Sequence, residues 1–140
     1  MGNTRLADIP GNEFVGGQLD NASVASNGAG ALVGYVFVAP ADINIVNAWW
    51  TPTGADTTAN TGSYRTLKLV NAGADGAGTT VIGSIVSTVT RASNVPVAFS
   101  GSGSVASGSA VGLSHSTVGG NHSDGTVLIA GRVSVTYQLQ

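Results

Sequence analysis

The stretch TVLIAGRVSVTYQL (residues 126–139) shows the clearest pattern in the chain. Its apolar side chains fall on one face of an extended strand: Val127, Ile129, Val133, Val135, Tyr137 and Leu139. Its polar side chains fall on the other: Arg132, Ser134, Thr136 and Gln138. A period of two residues predicts a β-strand with one face on a core and one in water. Gly131 interrupts the apolar face, which predicts a bulge or a close approach of another segment there.

The same strand pattern recurs through residues 32–140 and is cut by turns rich in Gly, Pro, Asn and Asp. No segment has the period of an amphipathic helix. The predicted strands are residues 32–39, 43–50, 64–70, 79–89, 95–99, 105–113 and 126–139. Seven or eight short strands with such turns predict an all-β domain, an antiparallel jelly roll or β-sandwich. GADGAG (73–78) is then a hairpin turn and not a phosphate-binding loop, because strand-like segments flank it on both sides.

Residues 1–31 differ from the rest and predict a separate element. They carry charged residues among many Gly, Asn and Ala residues, with no sustained period. We interpret them as an extended N-terminal arm that contributes one short strand at residues 13–15, and a floppy terminus is the alternative. The predicted organisation is therefore an arm (1–31) followed by a sandwich domain (32–140).

The composition excludes several classes of protein. Only 9% of the 140 residues are charged, the formal net charge is -2, and the five Lys and Arg residues are scattered. We therefore expect no nucleic-acid partner, which would need a basic patch. We also expect no membrane partner, because no apolar run approaches the ~20 residues of a spanning helix. A surface this poor in charge favours a subunit packed among others.

Two apolar features predict contact surfaces. Residues 32–39 are apolar on both faces, so the outer face should meet the arm or another subunit. Trp49 and Trp50 are adjacent, and adjacent strand residues point to opposite faces. One should pack inside with Ile43 and Ile45. The other is an interface anchor, a sugar-stacking platform, or a side chain covered by the loop that follows.

The side chains that could carry chemistry are few. His115, His122 and Asp124 fall in a predicted polar loop (114–125), where we expect exposed histidines. Neither a nucleophile on a rigid turn nor a full set of metal ligands accompanies them. The sequence therefore predicts no enzyme, no cofactor and no metal site.

Two stretches resemble a known family. DINIVNAWWTPTGAD…SYRTLKLVNAGADGAG (42–78) has an aromatic-tipped strand, a Thr/Asn/Gly loop, a Tyr-Arg-Thr-Leu strand and an Asn-x-Gly-x-Asp-Gly-x-Gly turn. VASGSAVGLSHSTVGGNHSDGTVLIAGRVSVTYQL (105–139) has a strand, a polar Gly-rich loop and a final alternating strand. Together they resemble the capsid cement (head decoration) proteins of tailed bacteriophages over residues 32–140. Gly108-Ser109 departs from the Gly-Asp of that pattern, which puts a polar contact there in question.

The resemblance implies a jelly-roll homotrimer that binds the major capsid protein and stabilises the outer surface of a phage head. It implies a place on the virion, after synthesis in the bacterial cytoplasm. We expect the subunit or shell contacts to come from apolar residues of the arm and the first strands: Ile9, Phe14, Val15, Tyr35, Phe37, Trp49 and Trp50. Whether the arm grips the shell or a neighbouring subunit stays open. The alternative function is a head-fibre or tail-fibre module that binds a receptor or a glycan.

Overall fold

The computed structural model describes residues 13–19, 22–23, 31–55, 64–118, 127–128 and 131–140. These residues contain β-strands and no helix, so the predicted all-β class is confirmed. The strands are, in chain order, β1 (Glu13–Leu19), β2 (Ala22–Ser23), β3 (Ala31–Val38), β4 (Ile43–Pro52), β5 (Tyr64–Gly73), β6 (Thr80–Ser87), β7 (Val97–Ala98), β8 (Gly103–Val105), β9 (Ala110–Val118), β10 (Val127–Leu128) and β11 (Gly131–Leu139).

Two antiparallel sheets face each other across one apolar core. Sheet I has the order β1-β11-β4, and β7 and β8 both pair with the far side of β4. Sheet II has the order β3-β9-β5-β6. The short strands β2 and β10 pair separately. Both sheets contribute to the core: Ile43, Ile45, Trp50, Leu67, Leu69, Ile85, Val111, Leu113, Val133 and Val135 are among its buried residues. The predicted β-sandwich is confirmed.

One set of strand pairs is nested along the chain. β1 pairs with β11, β3 with β9, β4 with β7 and β8, and β5 with β6. The innermost pair is the β5–β6 hairpin, so the prediction that residues 73–78 form a hairpin turn is confirmed. The jelly-roll type of this sandwich stays a prediction.

A β-bulge decides which tryptophan enters the core. Tyr137 of β11 pairs with Ile45 of β4, but the next residue, Thr136, pairs with Asn47, so one residue of β4 is left out of the ladder. Such an extra residue reverses the alternation beyond it. Trp50, at 4% exposure, therefore shares the inner face with Ile45, and Trp49 is half-buried on the other face. The prediction that the two indoles take opposite faces is confirmed.

Gly131 lies where the Trp50 ring meets β11. A Cβ at this position would stand 2.6 Å from the Thr51 carbonyl oxygen and 2.6 Å from ring carbons Cη2 and Cζ2 of Trp50. The predicted close approach at Gly131 is confirmed. The glycine leaves room for the indole, which fills this end of the core.

Several predicted strand boundaries are wrong. The predicted strand 105–113 is two strands, β8 and β9, separated by a turn in which Gly108 has a φ of 77°. β9 continues to Val118, through the first five residues of the predicted loop 114–125. The short strand predicted at residues 13–15 is present and extends to Leu19. The predicted strand 95–99 is reduced to the two residues of β7.

Replacement of Gly131 by Ala should destabilise the fold, because the new methyl group would overlap Thr51 and Trp50. Overpacking of this kind costs about 1–3 kcal/mol. Gly103→Ala is the matched control, since a Cβ there would lie 3.6 Å from its nearest neighbour, in ordinary contact. Urea unfolding should show a loss for Gly131→Ala and none for Gly103→Ala. Equal stability of the two variants would contradict the assigned role of Gly131.

Candidate binding surface

Two register shifts in β3 turn three large apolar side chains away from the core. β3 slips against β9 between Leu32 and Gly34, and again between Tyr35 and Phe37. As a result Leu32, Tyr35 and Val38, spaced by three residues, all lie on the outer face of sheet II. They are 37%, 54% and 60% exposed. We call these three residues the β3 row. The two apolar faces seen in the sequence are thus an inner face and this exposed row.

Phe37 belongs mainly to the interior. It is partly buried against the core, and its ring stacks on that of Tyr137 in sheet I, with 6.0 Å between ring centroids and 14° between planes. Offset aromatic pairs at this distance stabilise the contact between elements. Phe37 therefore joins the two sheets, while Tyr35 provides the exposed aromatic ring of β3.

A shallow groove of about 280 Å³ runs beside the β3 row on the same outer face. Its floor includes Val70 and Lys68 of β5, two residues apart on one face. Leu32 forms one side, and the hairpin turn with Val81 forms the other. The described lining is: Leu32, Lys68, Val70, Gly76, Ala77, Gly78, Thr79, Val81 and Ser114. Lys68 is the charged residue of this lining, so the groove combines an apolar floor with one cation.

Hydrogen bonds hold the turn that borders the groove. The Tyr35 hydroxyl donates to the Gly76 carbonyl oxygen at 3.1 Å, which joins the edge strand β3 to the β5–β6 turn. Within the turn, the Asp75 carboxylate accepts from the Ala77 N–H at 3.1 Å, and the Asn71 side chain accepts from the Gly73 N–H at 3.0 Å. Side chains of Asp and Asn commonly fix tight turns in this way. The groove therefore has a preformed wall.

Gly76 is favoured by its backbone conformation, and the end of the Tyr35 side chain lies close to it. Its φ of 73° is in the left-handed region, and a Cβ would stand 2.6 Å from the Tyr35 hydroxyl oxygen. Glycine adopts this φ without the steric cost that other residues carry.

The prediction that His115 is an exposed loop residue is wrong. His115 is 0% exposed on β9, between the sheets, and Arg65 of β5 is buried at 7% on the same inner face. The segment Ser114-His115-Ser116 looks polar throughout, but the strand period sends its histidine inward. His122 and Asp124 lie outside the described residues. Among the residues that the structure describes, no three His, Asp or Glu side chains are grouped to hold a metal ion.

The two tryptophans differ in what they offer a partner. Trp50 is a core residue, so the fold does not present it as a contact. Trp49 is half-buried on the outer face of sheet I and is paired with Ser134 and Ala98. The neighbouring cross-strand pairs on that face are polar: Arg132 with Thr51, Thr136 with Asn47, and Gln138 with Asn44.

The arm residues chosen from the sequence are only partly described. Phe14 and Val15 are in β1, where they pair with Thr136 and Val135 of β11. Ile9 lies outside the described residues. As contact residues, all three stay predictions.

No protein-family model, curated protein or solved structure matches the chain. The resemblance to phage decoration proteins therefore stays a prediction. In the described part of the chain, no helix is long and apolar enough to cross a membrane.

The contact between Tyr35 and Gly76 predicts a coupling between two substitutions. Gly76→Ala should destabilise the protein by about 1–3 kcal/mol, through its φ and its overlap with the Tyr35 hydroxyl. In a Tyr35→Phe background, which lacks that hydroxyl, the cost of Gly76→Ala should fall. A double-mutant cycle in urea measures the difference. Strictly additive effects would contradict an energetic coupling between the two residues.

Proposed function

We propose that this protein is a structural subunit of a phage particle, a head decoration protein that binds the outer surface of the capsid shell as a homo-oligomer. The observation that carries the proposal is the β3 row beside the preformed groove. Exposed apolar area of this kind marks a protein contact site. Its removal from water on a partner contributes about 25 cal/mol for each Å² covered.

The difference in polarity between the two outer faces supports binding through the burial of apolar surface. Outside Trp49, the pairs between β4 and β11 on the outer face of sheet I are polar, whereas sheet II presents Leu32, Tyr35 and Val38. A subunit that binds only the assembled shell stabilises that shell by mass action and needs no reaction. Repetition of a modest contact around a symmetric oligomer raises the total affinity. The low charge of the chain also limits repulsion between neighbouring copies.

A glycan-binding module of a phage fibre is the second candidate, and Trp49 is the observation that favours it. An indole that is half-buried among Ser, Thr and Asn side chains can present one face to a sugar ring while its polar neighbours donate and accept hydrogen bonds. This site lies on sheet I, so the two candidate functions use opposite faces of the sandwich.

Binding to capsids tests the first proposal. Heads purified from a phage that lacks this gene are mixed with the wild-type protein, Val38→Asp or Val95→Asp, and bound protein is measured by co-sedimentation. Val38 and Val95 are 60% and 51% exposed, so both substitutions add a charge to the surface. A carboxylate buried in an interface without a partner weakens binding, so Val38→Asp should lose at least about tenfold in affinity. Val95→Asp should bind like the wild type.

Two results would contradict the proposal. One is the absence of wild-type binding to these heads. The other is equal binding by Val38→Asp, with urea unfolding used to confirm that both variants are folded. Binding of the wild type to a glycan array that Trp49→Ala abolishes would favour the fibre module instead.

A further inference from the structure

The turn between β5 and β6 contains an exposed carboxyl group beside an unobstructed backbone amide. Asp75 is exposed, and its carboxylate accepts a hydrogen bond from the Ala77 N–H at 3.1 Å. That bond spans Gly76, so it holds the carboxyl group alongside the peptide that joins Asp75 to Gly76. Between the carboxyl carbon Cγ and the Gly76 nitrogen lie only three atoms of Asp75, so a bond between the two would close a five-membered ring.

The backbone nitrogen of Gly76 is weakly held and has no side chain beside it. Its N–H donates to the Gly73 carbonyl oxygen over 3.4 Å, which is longer than a typical hydrogen bond of this type. The φ of 73° favours glycine at this position, and a Cβ would meet the Tyr35 hydroxyl. The turn therefore favours Asp at one position for its hydrogen bond and glycine at the next for its conformation. Together they leave the amide nitrogen open to the carboxyl group.

We propose that Asp75 is a site of spontaneous isomerisation to isoaspartate in the folded protein. The Gly76 nitrogen attacks Cγ of the protonated carboxyl group, a C–N bond forms, and the hydroxyl group leaves as water with the amide proton. The product is a succinimide. Water then adds to the main-chain carbonyl carbon of Asp75 and breaks its bond to the Gly76 nitrogen, so that the backbone runs through Cγ.

The two steps balance without a further reactant. One water molecule leaves and one enters, so the mass of the protein is unchanged and nothing is oxidised or reduced. Addition of water at Cγ instead restores aspartate. The modification goes beyond the proposed function and does not rest on it, because it requires only the folded chain.

Isomerisation alters the wall of the sheet II groove. The isoaspartyl residue adds one methylene carbon to the backbone, and the carboxyl group that accepts the Ala77 hydrogen bond becomes part of the main chain. The Gly76 carbonyl oxygen, which accepts from the Tyr35 hydroxyl at 3.1 Å, moves with it. The turn thereby loses the bonds that fix it and that tie it to β3.

Storage of the purified full-length protein tests the proposal. The protein is kept at physiological temperature for several weeks and digested with trypsin, which cuts after Lys68 and Arg91 and releases residues 69–91. Asp75 is the only Asp in that peptide. A second form of the peptide should accumulate, with the same mass and a different chromatographic retention time. It should accept a methyl group from S-adenosylmethionine in the presence of protein isoaspartyl methyltransferase.

Asp42 provides a control within the same molecule. Its exposed carboxylate also accepts a backbone hydrogen bond, from the Ser107 N–H at 2.8 Å, but the next nitrogen belongs to the buried, branched Ile43 of β4. A protease that cuts before aspartate does not cut before isoaspartate, so one digest measures both positions. Cleavage before Asp75 should be lost at least about tenfold faster than cleavage before Asp42.

Two substitutions keep a hydrogen-bond acceptor at position 75. Asp75→Asn forms the same succinimide with ammonia as the leaving group, so it should convert faster and with a change in mass. Asp75→Ser keeps an oxygen that can accept from the Ala77 N–H but has no carboxyl group, so it cannot form the ring. Its peptide 69–91 should stay unchanged at position 75, and it reports separately any change at Asn71.

A synthetic peptide of residues 69–91 measures what the fold contributes. Isomerisation at Asp75 should be at least as fast in the folded protein as in the peptide, because the turn already holds the reacting groups together. Slower isomerisation in the folded protein would overturn the proposal, since the turn would then protect Asp75. Equal loss of cleavage before Asp75 and Asp42 would overturn it too, as would an Asp75→Asn variant that does not convert.

The effect on the groove wall has its own measurement. Urea unfolding of the stored wild type should show a less stable population in proportion to its isomerised fraction. Asp75→Ser stored in the same way should show none. An isomerised fraction as stable as the fresh protein would contradict the assigned loss of bonds in the wall.

Discussion

The register shifts between neighbouring strands determine which side chains fill the space between the two sheets. A strand with strict alternation sends every second residue inward. The bulge in β4 reverses that order, and Trp50 rather than Trp49 enters the core against Gly131. The two register shifts in β3 affect the surface instead, because they place Leu32, Tyr35 and Val38 together on the outer face of sheet II. The core and the exposed β3 row thus have one physical origin.

The surface that results is divided between the two sheets. Sheet II presents apolar side chains and a groove with a rigid wall, and the Tyr35 hydrogen bond to Gly76 ties that wall to the edge strand. Sheet I presents polar pairs around a half-buried Trp49. Such a division suits a subunit with one bound face and one face in water. The proposed contact would depend on apolar area and on a small number of placed polar groups, which requires few charges.

Much of this fold is predictable from the sequence because hydrophobic period and turn chemistry are local signals. The β11 alternation, the hairpin turn at 73–78 and the close approach at Gly131 all follow from them. The position of a bulge does not, because it depends on pairing between distant strands. For that reason the sequence could not choose between Trp49 and Trp50, and it gave Tyr35 and Phe37 the same role. The prediction of an exposed His115 was wrong because the serines on both sides of it hid the strand pattern. Its imidazole ring lies on the buried inner face of β9.

The groove could not be predicted from the sequence, for a related reason. The lining residues Lys68, Val70, Val81 and Leu32 come from three strands, and only sheet order brings them together.

A cryo-EM reconstruction of phage heads that carry this protein would show directly which face of the sandwich meets the shell. We predict that the outer face of sheet II, with Tyr35 and Val38, meets the shell and that the polar face of sheet I points to solvent. A reconstruction with sheet I and Trp49 against the shell, and the β3 row in solvent, would contradict it.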